Sequence, residues 1–255
     1  MKRDYLKYLY AAVAIYLLTP LFVVILMSFK DGPFMGFPIE QWTFKWYAQI
    51  LDDAQFISAF GLSAWIALAS TLLAAIFALW LSLLLVRSDL IGLPVLFAII
   101  CLPIVVPSIV SAISFRVFLQ SLGVPQGATS IIIAHTAYGV PFLVLMVLTR
   151  LRSMPQHLTE AARDLGADAF VAFLRVTLPY LKPALIGGSV FSILSSFDDF
   201  IRAFFLGAYS PTLPVLIYSR LFEGISPALA AISTLVLLVT ILFGAYAERL
   251  VNKVK

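Results

Sequence analysis

Two adjacent carboxylates, Asp198 and Asp199, stand in an otherwise apolar stretch that reads Ser196-Phe-Asp198-Asp199-Phe200. An ionised side chain at membrane depth is costly and marks a functional position by default. Lining a solute path, where they would attract a cation, is one role; sealing an outer gate is another. A plainer role also fits, because Arg202 lies four residues from Asp198 and an ion pair along one helix is available. An acid–base dyad does not fit. Neighbouring residues diverge by about 100° on a helix, whereas a dyad converges on one water. The sequence has no G-x-S-x-G elbow either, so an intramembrane enzyme is set aside. It also lacks G-x-x-x-x-G-K-[S/T], so it cannot cradle ATP phosphates in that way. His135 and His157 are far apart and without a local ligand cluster, which reads as packing or surface positions rather than a metal site. Cys101, the single cysteine, sits in an apolar run as a small hydrophobe. Tyr209 and Tyr218 offer ring faces to a cation or sit at an interface.

The elements that would position these groups follow from composition. Of 255 residues, 62% are hydrophobic and 12% charged, against about half and a quarter in a soluble domain. That excludes an average cytosolic enzyme, a disordered chain and a disulfide scaffold. The net charge of +4 comes with no basic patch of interleaved aromatics, so nucleic acid is not an expected partner. Positive charge gathers instead at the ends of six apolar stretches, about 8–29, 58–86, 92–115, 129–149, 184–207 and 228–247. Each is long enough to cross a hydrocarbon core of about 30 Å. Backbone groups find no water there, so the stretches should be helices, and the absence of alternation disfavours a barrel. The expected class is an all-α membrane protein with six transmembrane helices in one domain over 1–255. Lys2 and Arg3 precede a first stretch without a cleavage pattern, which reads as a retained signal-anchor.

Of the 17 Lys and Arg residues, 12 fall on the set of ends that includes both termini and residues 150–183, and 5 on the other set. Positive charge marks the cytoplasmic side, so both termini are expected inside. The outer segment 30–57 carries Trp42, Trp46 and Tyr47, suited to an interfacial belt or a short surface helix. Pro103 and Pro107 in the third stretch, and Gly139 with Pro141 in the fourth, should bend or break their helices. Such breaks serve a translocation path or are packing kinks.

Residues 150–183 form the longest cytoplasmic connection. Ser153 and Gln156 have capping-box spacing, Pro155 suits a first helical turn, and Gly166 can end the helix in the left-handed region. A second short helix over about 169–176 should follow and end before Pro179 and Pro183. Ala161 and Ala162 keep the first helix surface low, Glu160 one turn ahead of Asp164 offers an acidic point to a basic partner, and Phe170 and Phe173 could anchor the second helix on the transmembrane core. An ordinary amphipathic surface helix has the same spacing.

Glu160-Ala161-Ala162, three residues, Gly166, nine residues and Val176-Thr177-Leu178-Pro179 resemble the EAA loop of binding-protein-dependent ABC importer permeases, E-A-A-x-x-x-G followed by I-x-L-P, with Val176 for the usual isoleucine. The six spans and the loop's place between the fourth and fifth match the same family. The resemblance implies a coupling helix from Glu160 to Gly166, with Asp164, seated in a cleft of a separate cytoplasmic ATPase, and Leu178 and Pro179 completing the motif. It implies that ATP and magnesium belong to an ATPase subunit dimer and that this chain holds no cofactor. The remaining implied partners are a second, different permease subunit, a periplasmic solute-binding protein and membrane lipid, with the chain multi-pass in a bacterial inner membrane.

Pro38 to Tyr47, Leu102-Pro103-Ile-Val-Val-Pro107, Ser196 to Phe200, and Thr212 to Ser219 with Gly224-Ile-Ser-Pro227 are similar to spermidine/putrescine-type permeases, nearest their second permease subunit. One departure is Ser108, where polyamine permeases often carry an acid. Asp198, Asp199, Tyr218, Pro103 and Pro107 are the candidate pathway-lining residues. The competing reading, a self-contained secondary transporter or channel subunit, needs an internal repeat and an intramembrane ion-coupling site, for which the spans hold too few charges.

Overall fold

The computed structural model describes residues 2–87 and 92–254, and the regular elements among them are helices, with one isolated bridge between Lys30 and Trp42. The long apolar runs form α1 (Lys2–Met27), α3 (Ala54–Arg87), α6 (Ala128–Arg152), α9 (Leu178–Phe197) and α12 (Pro227–Val254). Shorter helices lie between them: α2 (Lys45–Asp52), α4 (Leu93–Val105), α5 (Ser108–Ser121), α7 (Gln156–Asp164), α8 (Ala169–Ala172), α10 (Phe200–Leu206) and α11 (Leu213–Glu223). Among the described residues, five helices are long and apolar enough to cross a membrane, and α4 with α5 makes a sixth if the bent pair is one span. The class is therefore the expected all-α membrane protein, and the count of six depends on that pair.

The prolines act differently from one another. Pro107 breaks the third span: α4 and α5 meet at 108°, with Val106 pushed to an extended ψ of 128° as a residue before proline prefers. Pro103 stays inside α4 without ending it, and the resumed helix runs to Ser121 rather than stopping near 115. The expected interruption at Gly139 and Pro141 is absent. α6 is continuous through both, because its buried face is packed along much of its length and holds the helix across the missing amide. The expected stop at Pro179 and Pro183 is absent as well. α8 runs through a π turn, Phe173–Thr177, directly into α9. Proline presses on the carbonyl four residues back, which for Pro179 is that of Arg175 inside the wider turn, so the π turn accommodates the ring. The fifth span accordingly starts earlier than 184 and ends at Phe197, with α10 a separate piece.

The chain packs as two compact units. One comprises 1–58 with 216–242. Around the start of its loop, Ser28 and Tyr47 share a 2.6 Å hydrogen bond, Trp46 Nε1 donates to the Lys30 carbonyl at 2.8 Å, and the Phe29 ring meets Phe44 edge-on at 5.2 Å and Tyr47 at a tilt at 5.3 Å. α2 thus supplies the short helix expected in the outer segment. α1 is apolar on all sides and exposed along most of its length.

The other unit comprises 59–215 with 243–255. Its core runs down α6. Ile131 and Ala134 pack with Ile66, Leu119, Ala203 and Leu206; Leu143, Val144 and Leu148 with Ala74, Ala78 and Leu85; Val147 and Leu151 with Leu181. Small residues let α9 close on α6, as membrane helix interfaces require. A Cβ on Gly139 would lie 2.7 Å from Ser192 Oγ, and one on Gly188 would lie 2.6 Å from Leu143 Cδ2. Gly187, one residue away, has nothing within 4 Å of such a Cβ.

This contrast predicts opposite outcomes for adjacent substitutions. Gly187→Ala should leave stability unchanged or raise it by up to about 1 kcal/mol through helix propensity. Gly188→Ala should lower it by about 1 kcal/mol, the overpacking exceeding the propensity gain. Thermal unfolding of the detergent-solubilised protein measures both.

Candidate functional sites: an exposed loop helix and a buried charge cluster

α7 begins at Gln156 after the extended Pro155, so Ser153 is not its cap; the Ser153 hydroxyl donates to the Arg150 carbonyl at 2.8 Å in the preceding helix. The Gln156 half of the expected capping box lies outside the described side chains. At the other end Gly166 takes φ +87°. Its amide donates to Arg163 O at 2.8 Å and the Ala167 amide to Ala162 O at 3.0 Å, the pair of bonds that closes a helix on a left-handed residue. Asp168 then caps α8 by accepting from the Val171 amide at 2.7 Å. Glu160, Ala161 and Asp164 are exposed and Ala162 is half-buried. Leu165 is 90% exposed and Phe170 68%. Phe170 therefore does not anchor α8 on the transmembrane core as expected; Ala172 and Thr177 are the buried positions there. Leu178 is half-buried and Pro179 exposed.

A clasp that spacing did not reveal closes the base of this loop. Arg150, near the end of α6, donates from Nε to the Tyr180 carbonyl at 3.2 Å and lays its guanidinium 4.3 Å from the centre of the Tyr180 ring. The Tyr180 hydroxyl donates to the Ser153 carbonyl at 3.1 Å. The end of α6 and the beginning of α9 are thus tied where α7 is suspended between them.

The second constellation lies at the other end of α9. Asp199 caps α10, accepting from the Arg202 amide at 3.0 Å, and its carboxylate also pairs with the Arg202 guanidinium. The expected pairing of Arg202 with Asp198 is replaced by this one, because the helix breaks at 198–199 and the cap geometry turns Asp199 back toward its own helix. Asp198 is exposed. Arg202 stacks 3.9 Å from the Tyr138 ring centre, and His135 Nε2 lies 3.8 Å from Asp199 Oδ2. His135 Nδ1 meets Ser196 Oγ at 2.7 Å, Ser196 meets Ser70 at 3.2 Å, and Thr71 donates to Ser192 at 3.0 Å. The side chains of His135, Asp199 and Arg202 are at most 8% exposed. Spacing reads His135 as a packing or surface position and gives no sign of its place beside the ion pair. The hydroxyls at 70, 71, 192 and 196 within apolar spans are the signal that marks this seam.

Of the other candidates, Pro107 sits at the α4–α5 break, while Pro103 lines an apolar cleft with Phe77 and Trp80. Tyr218 on α11 packs its ring edge-on against Phe222 at 4.9 Å. An unexpected pair joins Arg220 of α11 to Asp53, which also caps α3 by accepting from the amides of Gln55 and Phe56 at 2.9 and 3.1 Å. Burial alone would raise the Asp53 carboxyl, but the hydrogen bond and charge of Arg220 and the two amides outweigh it and hold it below its ordinary value of 3.8.

Apolar helices broken at a proline, a suspended surface helix and a small-residue seam define a membrane transport component. Residues 70–254 match the family described as "Binding-protein-dependent transport system inner membrane component". The chain belongs to that family and is a permease subunit of an ABC importer. It is 31% identical over 231 residues, 90% of this chain and 87% of the relative, to the spermidine/putrescine transport system permease protein PotC of Escherichia coli K12. It is likewise 31% identical to the putrescine transport system permease protein PotI of the same strain, over 87% of this chain and 82% of the relative. The same fold occurs in a bacterial alginate ABC transporter solved with an alginate pentasaccharide-bound periplasmic protein, with a TM-score of 0.74, 17% identity, and coverage of 99% of this chain and 96% of that one.

Two predictions follow from the charge pairs. Arg202→Leu strands the buried Asp199 carboxylate and should destabilise the subunit by about 3–5 kcal/mol, with Asp199→Asn added to it recovering part of the loss; thermal unfolding of the three variants reads this. Because the folded Asp53 value is depressed, its contribution is present above the ordinary value and is lost as pH falls through the folded one. The stability difference between wild type and Asp53→Asn should be full at pH 7 and shrink below about pH 4, measured by unfolding at stepped pH.

Proposed function

We propose that α7 is the coupling helix of a polyamine-type importer, docked on a separate ATPase. The observation that carries this reading is the surface of α7 and α8. Leu165 and Phe170 are exposed on the loop between α6 and α9, near the acidic Glu160 and Asp164 in sequence. Two large apolar side chains exposed within six residues of one short loop suit burial against a protein partner. In this reading an ATPase dimer binds ATP with magnesium and draws together, and α7 follows its docking cleft. The left-handed stop at Gly166 keeps the helix short and rigid, the Arg150–Tyr180–Ser153 clasp fixes its base, and the unbroken path from α8 through the π turn into α9 passes the displacement into the membrane. Leu178 and Pro179 lie on that path.

Six spans form half a pathway in this fold, so the partner is a second, different permease subunit, with a solute-binding receptor on the outer loops. Both termini face the cytoplasm of a bacterial inner membrane, supported by the distribution of Lys and Arg. The solute is a small organic amine of the spermidine or putrescine kind, supported by the likeness to PotC and PotI across most of the chain. Asp198 and Tyr218 are exposed and suited to meet it, Pro103 and Pro107 shape the third span beside the path, and Asp199 acts through Arg202 and the α10 cap.

Glu160→Lys and Gly166→Pro in the reconstituted complex should each lower uptake by about tenfold or more, equivalent to about 1.4 kcal/mol of coupling. ATP hydrolysis would continue without transport, or the ATPase would fail to assemble. Normal uptake by both variants contradicts the coupling role.

A further inference from the structure

Within the unit formed by 1–58 and 216–242 there is a cavity of about 530 Å³. The beginning of α3, the end of α11 and the beginning of α12 wall it. Its polar lining is Asp53, Gln55, Ser219, Arg220, Glu223 and Ser226, and its apolar lining includes Leu216, Leu229 and Ile232. We propose that this cavity receives an ammonium group of an aliphatic di- or triamine, and that the amine takes Asp53 over from Arg220. The inference rests on the amine-importer reading and adds the residues that meet the solute.

Three observations give the cavity its sign. Asp53 divides its two oxygens: Oδ1 holds the amides at the start of α3, and Oδ2 is left to a cation, at present the chain's own Arg220. The guanidinium thus marks a cation position in the wall. Glu223 is the last residue of α11, where its charge adds to the negative end of the helix dipole. Gly224, at φ +132°, ends the helix there and donates to Leu221 O at 3.3 Å. An acid in that place costs the helix stability and favours an incoming cation. Finally, the lining carries two carboxylates, Asp53 and Glu223, against the one cation Arg220, although the whole chain is +4. A lining of net negative charge favours cations.

The mixed wall selects among cations. A hard metal ion seeks a shell of oxygens, and the Leu216, Leu229 and Ile232 side chains offer none. They suit the methylene chain between two ammonium groups. Displacing Arg220 from Asp53 would leave the α3 cap intact, because the cap uses the other oxygen. Solute arrival would therefore loosen the end of α11 from the start of α3 without unwinding either helix, while the Leu213 amide stays bonded to Ser63 Oγ at 2.8 Å.

The test uses the complete transporter, both permease subunits with the ATPase, in lipid nanodiscs without receptor. 1,4-Diaminobutane and spermidine are titrated against 1,4-butanediol and succinate, and binding is read by calorimetry. The amines should bind saturably and the diol and dicarboxylate should not. Glu223→Gln should weaken amine binding about fivefold, the scale of one part-exposed ion pair. It removes a charge unfavourable to α11, so its unliganded unfolding temperature should equal or exceed that of wild type. Arg220→Gln removes the competing cation and should tighten amine binding severalfold, a sign that a merely structural role would not give. Glu40→Gln, an outer carboxylate away from the cavity, should change nothing. Equal amine affinity in wild type and Glu223→Gln, weaker binding in Arg220→Gln, or preference for succinate overturns the site. Receptor-driven uptake separates the two levels. A complex that imports diaminobutane with wild-type kinetics in Glu223→Gln loses only the site, whereas a wild-type complex that imports no amine loses the importer reading and the site together.

Discussion

α6 and α9 approach closely because glycine and serine stand where larger side chains would collide, Gly139 beneath Ser192 and Gly188 beneath Leu143. Lipid tails are as apolar as leucine, so burying apolar surface gives helices little reason to associate in a membrane; close contact and shared hydrogen bonds supply it. The seam has both. Glycines admit the neighbouring backbone, and hydroxyls at Ser70, Thr71, Ser192 and Ser196 bond across it. Its two ends carry the remaining features. At one end Arg150, Tyr180 and Ser153 clasp the helices where α7 hangs, and at the other Asp199, Arg202, Tyr138 and His135 hold the break that separates α9 from α10.

This arrangement explains how a nine-residue helix could influence a membrane span. α7 is short, stopped at Gly166, and joined within a few residues to α6 on one side and to a continuous helical path on the other. A helix transmits displacement because its hydrogen bonds fix spacing at about 1.5 Å per residue. The π turn keeps that path whole through a proline-containing stretch that would otherwise act as a hinge. The helical path is interrupted elsewhere, at Val106–Pro107 and at Asp198–Asp199, where helices do end.

Hydrophobic length and charge placement made the helices legible, and a glycine after good helix formers made the stop at Gly166 legible. Proline was legible as a disturbance but not in its outcome. Pro107 breaks a span, Pro141 is carried inside a packed helix, and Pro179 is absorbed by a π turn, and the difference lies in neighbours that are distant in sequence. The choice of Asp199 over Asp198 for Arg202 escaped helical spacing because spacing presumes one helix, and the chain interrupts it at that point. The clasp at Tyr180 and the Asp53–Arg220 pair escaped for a related reason: their members are 30 and 167 residues apart. Of the loop, the exposure of Glu160 and Asp164 follows from its polarity, whereas the outward turn of Phe170 runs against what an aromatic residue near a membrane suggests.

The account depends most on α7 touching the motor. With Cys101 replaced by serine, Ala161→Cys presents a single thiol on the exposed face of α7. In membrane vesicles of known sidedness, a short reagent with one thiol-reactive and one photoreactive end should join it to the ATPase subunit on illumination, and a membrane-impermeant thiol reagent should reach it only from the cytoplasmic face. Labelling from the opposite face, or no adduct with the ATPase in a transport-competent complex, would contradict the account.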